Sequence, residues 1–197
     1  MRQIFVFTAG REEARQHLVD SIENPVDDTV VFGNFDEAHH EELERIRDEA
    51  GGFYAWGAVW GIRNRPTWEQ MERDDFVLCV YDGFYHYVAR VLAKYDNPEC
   101  AESIWGTNDE GQTWRYMYFL TEPIEIYQPL FEFEGYLNST YRGFTRISQR
   151  VALVLTRPQV DEIRTCSVDF SMSPPNIPYA MWVNITETRC QTRGWRR

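Results

Sequence analysis

Lysine is almost absent from the chain. Of twenty basic residues among 197, only Lys94 is a lysine, and 31 acids leave a formal net charge of −11. So negative a balance excludes a ligand steered in over long distances or held mainly by counterions released from phosphates. Scarce lysine beside abundant acid reads as adaptation to a salty, halophilic interior. There the Debye length falls to about 3 Å near 1 M salt, so net charge repels little, and a nucleic acid would be held by stacking and hydrogen bonds. Cysteine is sparse too. Cys79, Cys100, Cys166 and Cys190 lie far apart, which excludes a zinc knuckle or a redox pair and leaves buried thiols in a reducing cytoplasm. The histidines His17, His39, His40 and His86 have no metal-ligand spacing; His39 and His40, adjacent on a helix, point to different sides. No P-loop, dinucleotide fingerprint or G-x-S-x-G elbow occurs. A non-enzymatic chain without metal or cofactor is therefore expected. No run of eighteen apolar residues exists and "MRQIFVFTAG" has no cleavage site, so a soluble cytoplasmic protein is expected.

What is present is enough apolar matter for a core: 43% hydrophobic residues, 15% aromatic. Residues 2–8 alternate as a strand, and 10–22 carry Ala14, Leu18 and Ile22 on one helical face before "NPVDD" breaks the pattern. A second, acidic helix over about 36–50 stops at Gly51-Gly52, and its charged side reads as a solvated face. A helical turn follows around Pro66 to Met71. The strongest hairpin signal is Asp82-Gly83 between two β-rich runs. Residues 97–104 read as a short helix capped by Asn97 with Pro98 at its first position; "TWRYMYFL" and "EPIEIY" read as strands. Beyond Pro129 the pattern weakens to a short helix from about Pro158, a loop at "SPPNIP" and an arginine-rich tail. Strand, helix, then hairpin-linked strands with a small inserted helix predict an α+β fold with a curved or closed sheet.

The aromatic stretch "YAWGAVWGIRNRPTW" (residues 54–68) poses the functional question. A flipped or unpaired base needs two flat apolar walls and polar groups to read its edge. Trp56, Trp60 and Trp105 are each followed by glycine, which leaves backbone groups accessible beside the ring. Asn64 offers an amide for a base edge, and Arg63 and Arg65 lie where phosphates would be met. Trp68, on a helical turn, and Trp114, within a strand, read as core.

The succession of "QIFVFTAGREEARQHL", "YAWG", "DDFVLCVYDG", "YVARVLAKYDNPECAESIWG" and "GQTWRYMYFLTEPIEI" resembles the YTH/EVE branch of the PUA-like superfamily. Within it, the nearest likeness is to the N-terminal specificity domains of McrB-type modification-dependent restriction proteins. The likeness covers about residues 2–150, leaving 151–197 as an extension or linker with a basic tail. It implies a PUA-like (EVE/YTH-type) barrel-like sheet flanked by helices, with an aromatic cage for one flipped, modified base. YTH domains read N6-methyladenine in RNA; EVE-like domains read methylated bases in DNA, 5-methylcytosine among them. Carried over by position, Trp56 and Trp105 are the cage walls, the Gly57 backbone and Asn64 face the base edge, and Trp60 replaces Trp56 if the alignment slips. Arg63, Arg65 and Arg115 are the candidate phosphate contacts. Two departures stand out: the acidic helix is an insertion relative to a minimal YTH domain, and no GTPase motif is present. The expected role is a DNA-binding specificity module of a restriction or defence system. Its AAA+ GTPase and nuclease would reside in another chain or in a missing C-terminal region. A methylated-RNA reader, and an interaction domain with buried tryptophans whose acidic helix docks a protein, are the alternatives.

Overall fold

Asp82 and Gly83 both take positive φ, 48° and 81°, as a two-residue type I′ hairpin requires. In the computed structural model they join β3 (Phe76–Tyr81) to β4 (Phe84–Asp96). The structure describes residues 2–130 and 143–147, all within the unit Met1–Leu155. The expectations for the Pro158 helix, the "SPPNIP" loop, the basic tail, Cys166 and Cys190 lie outside the described residues.

At thirteen residues, β4 outruns its partner and changes register near Val91–Ala93. Its first half pairs with β3 and with β6 (Ile124–Pro129), its second half with β5 (Tyr116–Leu120). β5 pairs antiparallel with β2 (Tyr54–Ala58). On the other side β3 lies parallel to β1 (Ile4–Thr8), which pairs with β7 (Phe144–Ile147). The seven-stranded order is β2-β5-β4-β3-β1-β7, with β6 beside β4. Strand side chains alternate between faces. One parity (Phe5, Phe7, Trp56, Val77, Cys79, Tyr118) joins Leu18 and Ile22 in one cluster. The other (Ala55, Leu92, Met117, Phe119) packs against α2 (Asp28–Gly33), α3 (His40–Ala50) and α5 (Pro98–Trp105). Although β1 and β2 are far apart in strand order, Phe7 and Trp56 stack at 4.3 Å and 25°. The sheet therefore curls over one interior, and the expected α+β architecture, a curved sheet flanked by helices, is the one observed.

Local chemistry explains the helix limits. The Asn97 side chain accepts from the Cys100 N–H at 2.9 Å with Pro98 next to it, so α5 starts where the sequence says. Gly51 takes φ 75° and ends α3. α1 (Glu12–Leu18) widens into a π-helical turn at Val19–Glu23. The expected turn near Pro66 is α4 (Asn64–Glu69). It is pinned to the sheet by Trp68, whose indole N–H donates to the Met117 carbonyl at 3.0 Å. Two elements were not anticipated. α2 is only six residues long and starts at the last residue of "NPVDD", a breaker whose Asp27 also caps it by accepting from Thr29 N–H at 2.7 Å. β7 is four residues whose pairing partner, β1, lies far away in sequence.

Gly57 marks the tightest approach in the fold. A Cβ there would stand 2.2 Å from the Trp114 carbonyl oxygen and 2.9 Å from both Trp114 Cβ and Trp105 Cζ3. Two of those neighbours are held by backbone, so they cannot rotate away. Gly57→Ala is expected to destabilise the domain by about 1–3 kcal/mol, as overpacking does. Gly61→Ala, with only Asn64 Nδ2 at 4.0 Å, should change little. Urea midpoints of the two variants check the contrast.

Candidate nucleic-acid interface

Trp56 from β2, Trp105 at the end of α5, Trp114 before β5 and His17 from α1 meet at one place. The imidazole of His17 stands edge-on to Trp114 at 4.3 Å and 84°, and its centroid lies 6.1 Å from Trp105 and 6.3 Å from Trp56. The π turn delivers the polar link. Ser21, fully buried, donates from its hydroxyl to the His17 carbonyl at 2.9 Å and accepts from Trp105 Nε1–H at 3.1 Å. The Trp105 indole donor and the Ser21 hydroxyl are thus both satisfied in a setting where an orphaned donor would be costly.

Trp56 and Trp105 are brought together, centroids 6.5 Å apart, but their planes are inclined by 59°. A base between two walls needs parallel rings about 7 Å apart, twice a stacking contact. One face of Trp56 is already taken by Phe7, and His17 fills the space beside both indoles. Exposure is 6% for Trp56 and 8% for Trp105, while Trp114 is the partly open member. Gly57 is buried in its pairing with Met117, and the space above its Cα is filled by Trp105 and Trp114.

Trp60 stands outside this cluster. It sits on the loop between β2 and α4, 57% exposed, without a ring contact among the described residues. Asn64 Nδ2 donates to the Val59 carbonyl at 3.0 Å and closes that loop, which leaves the second amide N–H and the carbonyl oxygen of Asn64 for a ligand. The three arginines differ. Arg65 pairs with Glu69 at 2.8 Å and Arg115 with Asp96 at 2.5 Å, whereas Arg63 makes no ion pair among the described residues. Lys94 is committed elsewhere: its ammonium caps α4 through the Trp68 and Glu69 carbonyls and lies 4.8 Å from the Trp68 ring. A separate hollow of about 530 Å³ between Phe35, His39 and Tyr95 is rimmed by Asp36, Asp96 and Glu99, a poor setting for phosphate. No described helix is long and apolar enough to cross a membrane. Cys79 and Cys100 are free and buried.

Sequence reading missed His17, Trp114 and Phe7 as members of the cluster. His17 and Ser21 share a helical face, but nothing local says that the face will meet three indoles. Burial holds the His17 imidazole below its ordinary value of 6.5, opposed by the Glu13 and Asp20 carboxylates and a hydrogen bond to the Trp105 backbone. The unfolded imidazole therefore takes up a proton more readily than the folded one, so this group costs stability as pH falls through 6.5 and has no effect well above it. His86 is lowered too, also mainly by burial, and adds in the same direction. Melting temperatures at about pH 7.5 and about pH 5.5 should show an acid-induced drop that shrinks, without vanishing, in His17→Gln.

No protein-family model matches the chain, and no curated protein does either. Among solved structures, the YTH domain of Zygosaccharomyces rouxii MRB1 in complex with N6-methyladenosine RNA aligns over 89% of this chain and 92% of its own. Its identity is 10% and its TM-score 0.33, which establishes no common fold. The N-terminal domain of Thermococcus gammatolerans McrB, bound to m5C DNA, aligns over 83% of this chain and 100% of its own at 15% identity and a TM-score of 0.60. The chain shares its fold with that McrB domain.

Proposed function

We propose that the chain binds nucleic acid carrying a methylated base, taking that base out of the stack and holding it at the Trp56–Trp105 cluster. The observation that carries this reading is the convergence of Trp56, Trp105 and Trp114 on Gly57, in a fold shared with a domain solved on m5C DNA. Trp56, backed by Phe7, is the fixed wall. Trp105 is the movable one, held by a single indole N–H bond to Ser21, and its rotation towards Trp56 together with withdrawal of His17 would open a slot for the base. The Gly57 backbone and the Asn64 carbonyl oxygen would meet the base edge. Arg63, Arg65 and Arg115 would meet phosphates, the last two by exchanging a carboxylate for a phosphate oxygen. In a restriction or defence system the chain would act as the specificity module, with an AAA+ GTPase and a nuclease doing the work of cleavage.

One methyl group in an apolar pocket discriminates by about 10–200-fold. A panel of oligonucleotides with N6-methyladenine, 5-methylcytosine, 5-hydroxymethylcytosine or N4-methylcytosine should therefore show one mark preferred by at least about tenfold. RNA of the same sequence serves as competitor. Both indoles are buried, and Trp→Ala would cost about 3–5 kcal/mol of stability, so Trp56→Leu and Trp105→Leu, checked for folding, are the cleaner variants. Each should lose the preference; retention in both would overturn the assignment.

The salt dependence separates stacking from charge. Three phosphate contacts give a slope of about −2.7 in log affinity against log salt on duplex DNA, and Arg63 alone about −0.9. Because Arg65 and Arg115 already carry carboxylate partners, the measured slope should fall between the two. A titration at several salt concentrations reads it directly.

A further inference from the structure

The loop from Val59 to Arg63 is built unlike the rest of the surface. Ile62 is 87% exposed and Trp60 57%, so two large apolar side chains point into solvent on either side of Gly61. The loop that carries them is braced. Asn64 Nδ2 bonds the Val59 carbonyl, Arg65 N–H donates to the Gly61 carbonyl at 3.1 Å, and Thr67 Oγ1 donates to the Arg63 carbonyl at 3.1 Å. One helical turn on, Trp68 ties α4 to β5 through the Met117 carbonyl. The loop also continues directly from β2, whose Trp56 is the fixed wall of the cluster.

Charge points to the occupant. From Ala50 to Trp68 there is no acid, in a chain with 31 of them, while Arg63 and Arg65 fall at the end of this stretch. Arg63 has no carboxylate partner among the described residues. An apolar tip flanked by free positive charge matches a polyanion that offers an apolar gap between its charges. A duplex from which one nucleotide has been flipped is such a surface: two exposed base faces, with one phosphate per about 3.4 Å of helix axis on each strand.

We propose that the Trp60–Ile62 loop is a wedge that enters duplex DNA and fills the gap left by the flipped base, with Arg63 on the adjoining phosphate. This rests on the reader function proposed above and assigns it a double-stranded substrate. The wedge offsets the unstacking that flipping requires, so it matters only where there is a stack to replace.

The test uses the whole chain and three probes bearing the preferred methylated base: a duplex, the same duplex with an abasic site opposite that base, and the single strand. Trp60→Ala, Ile62→Ala and the double variant remove exposed side chains and should fold. The double variant is expected to lose about tenfold or more on the paired duplex, to lose less on the abasic duplex, and to bind the single strand within about twofold of wild type. Equal losses on duplex and single strand would overturn the wedge and make Trp60 a wall of the base site. No loss on any probe would also overturn it, leaving the loop to a protein partner. Failure of the reader function itself shows separately, as indifference of the wild-type chain to methylation on every probe.

Discussion

Everything at the aromatic cluster depends on one missing methylene. The backbone of Trp114 and the ring of Trp105 approach β2 so closely that only glycine fits at position 57. The requirement is one of space, since Gly57 is not among the glycines with positive φ. From this contact follow the placement of α5, whose final residue is Trp105, and the path of the chain from α5 into β5. Those in turn define the gap into which α1 inserts His17. Glycine beside tryptophan suggested a backbone left open to a ligand; at Gly57 the close neighbours are other parts of the same chain.

The second determinant is the π turn after α1. A regular helix would continue with one bond per residue; the wider turn at Val19–Glu23 holds the buried Ser21 where its hydroxyl serves both the His17 carbonyl and the Trp105 indole. A single hydroxyl therefore couples the end of α1 to the end of α5. A ligand that rotates Trp105 must break that bond or carry α1 with it, and must also lift a buried indole off Gly57 and His17. Stacking of a base, about 1–3 kcal/mol, offsets the lost hydrogen bond of about 0.5–1.5 kcal/mol but not by itself the lost packing.

The fold was legible in the sequence wherever a short motif carries its own geometry. Asp82-Gly83 demands a type I′ turn, Asn97-Pro98 a helix start, and Gly51 a helix stop, and each of these acts within a few residues. The curl of the sheet was signalled by the order of the elements and by the likeness to a known branch of folds, not by any single short motif. What stayed hidden was nonlocal. Phe7 covers one face of Trp56, β7 is defined by a partner some 140 positions away, and His17 is surrounded by indoles from three separate elements. Trp114 was assigned to a strand by its neighbours, yet it precedes β5 and belongs to the cluster because Gly57 admits it.

The acidic balance looks contrary to a nucleic-acid surface until the arginines are followed to their partners. Arg15 pairs with Asp82, Arg47 with Asp28 and Asp48, Arg73 with Glu49, and Arg90 with Glu49 and Asp74. These cations are consumed within the fold, and such exposed pairs each add at most about 1 kcal/mol. Arg63 has no such partner among the described residues, as is also true of Arg2, Arg11, Arg45 and Arg146, and it lies in a stretch, residues 50–68, that carries no acid. Net charge therefore misleads here. The sign of the field at a surface is set by charges within about 10 Å at moderate salt, and less in concentrated salt. What matters near Trp60 and Ile62 is that local segment, where Arg63 is free of a carboxylate partner among the described residues and the apolar side chains face outward. A surface of that kind gains little from long-range attraction and most from contact.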